Sequence, residues 1–191
     1  MSRPAALIFD LDGTLSDPSP GIFAGIRHAF ERLSHTSGRF FAAPEGEALR
    51  SWIGPPLRAS FAAVVGPELA DAGLGHYREL YETSGLFENA PYDGVDAMLD
   101  AFAATGAPLY IATSKPRKTA VRIIDHFGWG RRFRAIAGAT PDGSRESKLD
   151  VLEYLLANEH IPADRLRVAM IGDRKYDVEG AHAVGILAVG A

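Results

Sequence analysis

Two aspartates one residue apart follow the first apolar run of the chain. Residues 7–9 are apolar and lead directly into Asp10 and Asp12, with Gly13 next. The run predicts a buried strand, and alternate residues of a strand share a face, so both carboxylates can converge on one spot. Two such carboxylates repel each other unless a cation lies between them, which makes Mg²⁺ the expected companion. A strand closed by an Asp-Gly turn is the alternative that this stretch alone leaves open.

Polar side chains also follow the later apolar runs of the chain. The residues at these positions are Thr113, Ser114, Lys115, Asp173 and Asp177, and Lys148 begins a helix on the same side. Taken singly, each has a plainer role as a helix cap, a turn residue or a solvated side chain. Ligands of open parallel sheets bind beyond the carboxyl ends of the strands. The occurrence of all these residues in order, each at the end of a predicted element, therefore favours one shared site.

Composition narrows the class of protein. The chain has 191 residues, of which 47% are apolar and 23% charged, so we expect a globular protein with one domain plus an insertion, or two small domains. A net charge of −4 does not indicate a nucleic acid polymer as partner. The absence of cysteine excludes disulfides and thiolate chemistry and fits a cytoplasmic location. No apolar run approaches membrane-spanning length, so no membrane partner is expected.

The elements that position these residues fall into two regions. Residues 16–87 carry apolar residues at helical spacing, with a stiff turn at residues 53–56 and no strand candidate. From residue 88 onward, helices alternate with strand candidates at 109–112, 134–137, 168–171 and 186–189. This alternation predicts an α/β fold with a Rossmann-like, doubly wound parallel sheet. We therefore predict a core of residues 1–15 and 88–191 interrupted by an all-helical cap over 16–87. Because the chain ends directly after a strand, we expect a further segment or a partner to cover that edge.

The polar residues resemble the four motifs of a known superfamily. Asp10-Leu11-Asp12-Gly13-Thr14, Thr113, Lys148 and the segment 172–177 are similar, in order and context, to the motifs of the haloacid dehalogenase superfamily. Residues 16–87 resemble its C1 cap. Further segments, at 53–58, 85–89, 112–116 and 170–175, resemble the branch that contains phosphoglycolate-phosphatase-like and bacterial 5′-nucleotidase-like proteins.

The resemblance implies a role for each motif residue. Asp10 would be the nucleophile and Asp12 the general acid and base, while Thr113 and Lys148 would bind and neutralise the phosphoryl group. Mg²⁺ would be held by Asp10, by Asp12 through its backbone carbonyl and by Asp173, with the fourth metal-site residue, Asp177, acting through water or orienting Lys148. The substrate-binding candidates are Thr14, Ser114, Lys115 and, in the cap, Arg58.

The activity that follows is Mg²⁺-dependent hydrolysis of a small phosphorylated metabolite through an aspartyl-phosphate. Phosphoglycolate and nucleoside 5′-monophosphates are the two substrate hypotheses, and the chain would be a monomer or a homodimer. The alternatives are a phosphomutase or phosphotransferase on the same fold, a receiver-like phospho-switch, and a binding protein without catalysis. A receiver-like switch has no use for an acid and base at Asp12 or for an inserted cap.

Overall fold

A computed structural model describes residues 4–53 and 56–191 of the chain. The chain divides into two compact units, Met1–Asp17 with Ala90–Ala191, and Pro18–Asn89. We call them the α/β unit and the helical unit. The predicted boundaries, after residues 15 and 87, each fall two residues before these divisions.

Five parallel strands form the sheet of the α/β unit. In chain order the strands are β1 (Ala6–Phe9), β4 (Leu109–Pro116), β5 (Ala135–Ala139), β6 (Val168–Gly172) and β7 (Leu187–Gly190), and a separate two-stranded pair is made by β2 (Ser16–Asp17) and β3 (Ala90–Pro91). The order across the large sheet is β5-β4-β1-β6-β7. In this order β1 lies in the centre, with Leu7 in register with Leu109 on one side and with Ala169 on the other. The two aspartates that follow β1 therefore emerge from the middle of the sheet.

Helices cover both faces of the large sheet. They are α5 (Val95–Ala104), α6 (Arg117–His126), α7 (Lys148–Asn158) and α8 (Lys175–Ala183). Ile8 of β1 is fully buried in one cluster with Val151 and Leu152 of α7. On the opposite face the ring of Phe9 lies 5.9 Å from that of Phe102 on α5. Because β1 alternates its side chains between two apolar layers, its run of buried residues has no polar interruption. The predicted α/β class with a doubly wound parallel sheet is confirmed.

The helical unit has its own aromatic core. Its helices are α1 (Ser19–Ser37), α2 (Gly46–Arg50), α3 (Leu57–Val65) and α4 (Ala70–Tyr81), followed by a 3₁₀ turn at Gly85–Phe87. The rings of Phe30, Trp52 and Phe61 pack with centroids 4.9 to 5.8 Å apart. Such pairs add stability beyond the area that they bury. Within the described ranges, no helix combines the length and apolar character that crossing a bilayer requires.

Some local predictions differ from the structure. The expectation of no strand within residues 16–87 is wrong at Ser16–Asp17, which pairs antiparallel with Ala90–Pro91. A two-residue strand is too short to produce an alternating pattern. The expectation that β4 ends before Thr113 is also wrong, because the strand continues to Pro116 across a register shift. The central residues of the turn predicted at 53–56, Gly54 and Pro55, lie outside the described residues.

Candidate active site

Lys148 joins two carboxylates below the carboxyl end of β1. Its Nζ atom lies 2.9 Å from Oδ1 of Asp10 and 2.8 Å from Oδ1 of Asp177. It also donates a hydrogen bond of 2.8 Å to the carbonyl oxygen of Ala112 in β4. Lys148 is only 4% exposed. A buried ammonium this close to two carboxylate oxygens offsets their negative charge, and it places positive charge directly beside Asp10.

A capping box places Lys148 at the start of α7. The Ser147 hydroxyl accepts a hydrogen bond from the backbone N–H of Asp150, and the Asp150 carboxylate accepts one from the backbone N–H of Ser147. These two bonds satisfy groups that a helix start otherwise leaves unpaired. Lys148 is the first residue of the helix, so this cap fixes where its side chain enters the site.

Three carboxylates form an acidic cluster that could hold a cation. Asp10, Asp173 and Asp177 each offer an oxygen, and these oxygens all lie within 4.8 Å of one another. Gly13 has a φ of +87°, and a Cβ at this position would collide with the Asp173 carboxylate. Glycine thus leaves the space that Asp173 occupies. A small site with oxygen donors alone suits a hard divalent cation.

Asp12 pairs with a lysine and stays apart from the acidic cluster. Its Oδ2 atom lies 2.8 Å from Nζ of Lys115, whose side chain is 7% exposed. Its Oδ1 atom is buried and has no hydrogen-bond partner among the residues described. Burial raises the pKa of Asp12; Lys115 opposes this shift and Asp10 adds to it. Burial likewise raises the pKa of Asp177, against the opposing effect of Lys148.

The remaining site candidates of the α/β unit lie at the same strand ends. The Thr14 hydroxyl donates to Oδ1 of Asp173 over 3.2 Å. Thr113 is 2% exposed, and its hydroxyl accepts a hydrogen bond from the backbone N–H of Lys115. Ser114 is exposed. The structure therefore brings Thr14 and Thr113 to the carboxylates through direct contacts or through Lys115.

Arg58 belongs to the helical unit and has a partner there. Its guanidinium donates two hydrogen bonds, of 2.6 and 2.9 Å, to the two carboxylate oxygens of Asp71. The pair raises the pKa of Arg58 and lowers the pKa of Asp71. Its role in binding substrate stays a prediction.

Two features of the site went unnoticed in the sequence. Ser147 lies three residues before Asp150 and ahead of an apolar run, and a serine at this spacing from an acid indicates the start of a helix. The start of α7 at Lys148 is therefore predictable from the sequence. The pairing of Lys115 with Asp12 had no such signal, because it depends on the register shift between Thr113 and Pro116.

Comparison with known proteins identifies the family of the chain. The model of the family described as haloacid dehalogenase-like hydrolase matches residues 7–191. The chain belongs to this family. The recognition from the sequence motifs is thereby confirmed, and so is the enzyme class, a phosphoric monoester hydrolase, at the level of the family and its phosphatase-named relatives.

Several relatives of this haloacid dehalogenase-like hydrolase are named after an enzyme activity. A 5′-nucleotidase of Pseudomonas aeruginosa is 39% identical over 186 residues, which are 96% of this chain and 80% of the relative. The tyrosine-protein kinase PtkA of Mycobacterium tuberculosis is 42% identical over 183 residues, again 96% of this chain. The chain spans only 60% of the length of that kinase. A phosphoglycolate phosphatase of Pseudomonas savastanoi is 29% identical, over 97% of this chain and 68% of the relative.

Solved structures agree with the family assignment. A structure of a putative phosphatase from Clostridium difficile superposes with a TM-score of 0.87 at 35% identity, covering 100% of this chain and 86% of that one. The chain is thus similar to phosphatases in both sequence and fold.

Proposed function

We propose that the chain hydrolyses a small-molecule phosphate monoester through an aspartyl-phosphate formed on Asp10. The observation that carries the proposal is the contact of Asp10 with Lys148 at the centre of the sheet edge, beside two further carboxylates. A carboxylate that attacks phosphorus must approach an anionic substrate, and the neighbouring ammonium reduces the repulsion between the two.

The candidate site residues of the α/β unit each have a role in the proposed reaction. Asp10 attacks phosphorus in line with the leaving oxygen, and Lys148 stabilises the charge that develops on the phosphoryl oxygens. The Thr113 hydroxyl donates a hydrogen bond to one of these oxygens. Residues Thr14, Ser114 and Lys115 complete the phosphate site.

Asp12 serves as the general acid and base. It protonates the leaving oxygen and then removes a proton from the water that hydrolyses the aspartyl-phosphate. Its raised pKa supports this assignment, because a carboxyl group that donates a proton must first hold one. Lys115, 2.8 Å away, keeps this carboxyl group in one position.

The acidic cluster is assigned to Mg²⁺. Asp10, Asp173 and Asp177, with the backbone carbonyl of Asp12, would hold the ion. Bound there, it would screen the anionic nucleophile from the anionic phosphate. The oxygen-only donor set and the space that Gly13 leaves for Asp173 support this assignment.

The substrate class is drawn from the relatives and the helical unit. The names of relatives suggest phosphoglycolate or a nucleoside 5′-monophosphate. Residues 16–87 would form a cap that selects between them, with Arg58 as its candidate ligand. A cytoplasmic monomer or homodimer remains our prediction for the cellular state.

The test is phosphate release from a panel of monoesters. The panel contains phosphoglycolate, nucleoside 5′-monophosphates and sugar phosphates, assayed with Mg²⁺ and with EDTA. We expect release that requires the ion and that falls at least about a thousand-fold in Asp10→Asn, which keeps the shape of the side chain. Release that persists in Asp10→Asn would contradict the proposal.

Phosphoryl transfer is the second candidate, favoured by the kinase name of the mycobacterial relative. It uses the same aspartyl-phosphate but gives the phosphoryl group to an acceptor hydroxyl. In that case substrate consumption exceeds release of inorganic phosphate when an acceptor is present, whereas hydrolysis keeps the two equal.

A further inference from the structure

Three basic residues lie against one short segment of β5. Arg117 donates from Nε to the carbonyl oxygen of Ile136 over 3.0 Å, and Arg145 donates from Nε to that of Gly138 over 3.3 Å. A Cβ at Gly138 would lie 2.6 Å from the backbone oxygen of Lys115. We call Lys115, Arg117 and Arg145 the basic cluster.

The basic cluster adjoins the candidate active site. Gly138 is in register with Thr113 of β4. Lys115, two residues after Thr113, reaches Asp12 at 2.8 Å. The cluster therefore runs from the proposed general acid to Gly138, near the carboxyl end of β5, where ligands of such sheets bind. The bond from Arg117 to Ile136 lies two residues earlier in the same strand.

The two arginines are fixed in place but not neutralised. Neither forms an ion pair with a carboxylate in the described ranges 4–53 and 56–191, whereas Arg58, Arg132 and Arg134 all do. The guanidinium of Arg145 also lies 3.7 Å from the ring centroid of Tyr154. The Nε hydrogen bond holds each guanidinium, and the ring also holds that of Arg145, without cancelling the positive charge. The terminal nitrogens of each guanidinium, which suit a carboxylate or a phosphate, are not needed for this anchoring.

We propose that the two arginines of the basic cluster, Arg117 and Arg145, bind a second anionic group, carried by the leaving-group part of the substrate. The preferred substrates are then phosphate monoesters that also bear a carboxylate or a second phosphate. This inference rests on the proposed function, and it assigns part of the substrate selection to the α/β unit.

Matched substrate pairs test the proposal. Phosphoglycolate is compared with its neutral amide, and 1,3-propanediol bisphosphate with 3-hydroxypropyl phosphate, so that each pair differs by one anionic group. The variants are Arg117→Met, Arg145→Met and the double variant. Lys118→Met is the matched control, because it removes a positive charge from an exposed neighbour of Arg117.

We expect the anionic member of at least one pair to have the lower KM in the wild type. Loss of one arginine should raise that KM about tenfold, which corresponds to one charge-assisted hydrogen bond, and should raise the KM of the neutral member much less. The pair that responds distinguishes a carboxylate from a second phosphate. Lys118→Met should change neither ratio.

Two results would overturn the inference. One is a wild type that does not prefer the anionic member of either pair. The other is an equal loss on both members, which would make the arginines structural ties between β5 and its neighbours.

Binding to Asp10→Asn, measured by calorimetry with the same pairs, separates this inference from the proposed function. If no compound is hydrolysed, the proposed function fails. The preference for the anionic ligand, and its loss in Arg117→Met/Arg145→Met, still decide whether the subsite exists.

Discussion

Replacing Lys148 by methionine should destabilise the α/β unit as well as slow catalysis. The ammonium lies 2.9 Å from Asp10 and 2.8 Å from Asp177, and the three side chains are 3%, 8% and 2% exposed. Methionine fills a similar volume but leaves two buried carboxylates side by side without a cation. Because all three side chains are buried, almost no water can reach the two carboxylates to replace the ammonium.

The size of the effect follows from this burial. Removing one partner of a buried ion pair is destabilising by about 3–5 kcal/mol. For a chain of this size, 1 kcal/mol corresponds to a shift of about 2–4 °C in Tm, so we expect Tm to fall by roughly 6–20 °C. Turnover should also fall by about 10²–10³, the usual loss when a charge-stabilising group is removed.

The assay is thermal unfolding followed by circular dichroism, in EDTA so that no cation replaces the ammonium. Lys118→Met, at an exposed position, is the control and should leave Tm within about 1 °C. Adding Asp177→Asn to Lys148→Met should recover part of the loss, since one buried charge is then gone.

The dependence on pH gives a second check. Burial raises the pKa of Asp177 even against the opposing effect of Lys148, so in the variant this carboxyl group holds its proton more tightly in the folded than in the unfolded state. The loss of stability is therefore largest at neutral pH and shrinks as pH falls into the ordinary range of carboxyl groups. A Tm equal to that of the wild type at pH 7 would refute the reasoning, because it would mean that the two carboxylates do not depend on Lys148.

Three further predictions concern residues around the site. Gly13→Ala places a side chain at a φ of +87° and against the Asp173 carboxylate, so we expect a loss of about 1–2 kcal/mol in a denaturant titration and at least tenfold weaker Mn²⁺ binding by calorimetry; unchanged Mn²⁺ affinity would contradict this. Ser147→Ala removes the cap of α7, which should lower the free energy of unfolding by about 1 kcal/mol and reduce kcat more than it changes KM, whereas Ser147→Asp should restore both. Hydrogen bonds from Thr140 and Ser144 lower the pKa of Asp142 to about 2, so this residue stabilises the fold above the unfolded value of 3.8 and the contribution disappears as pH falls toward 2; Asp142→Asn should be less stable than the wild type at pH 5 and equal to it near pH 2.

The positions of the candidate site residues could be predicted because a parallel sheet imposes order. Each strand of such a sheet ends at the same edge, so polar residues after successive apolar runs must meet there. Asp10, Thr113 and Asp173 follow this rule, whereas the order of the strands across the sheet was not predicted and comes from the structure. The fold class followed from the same alternation of strands and helices.

The contacts between the side chains could not be predicted in the same way. The salt bridge of Lys115 with Asp12 depends on a register shift within β4, which no local pattern announces. The salt bridge of Arg58 with Asp71 joins residues on two helices whose packing is set by apolar side chains elsewhere. In both cases the partner is chosen by tertiary packing, and local preference carries no information about it.

The central place of β1 has a consequence during protein synthesis. Leu7 pairs with Leu109 and with Ala169, which are made about 100 and about 160 residues later. At roughly 5–20 residues per second, the strand leaves the ribosome and waits about 5–20 s for its first partner. Throughout that interval Ala6–Phe9 is an unpaired apolar segment. The apolar strand that comes before Asp10, central in the finished sheet, is therefore a segment that we expect a chaperone to shield in the nascent chain.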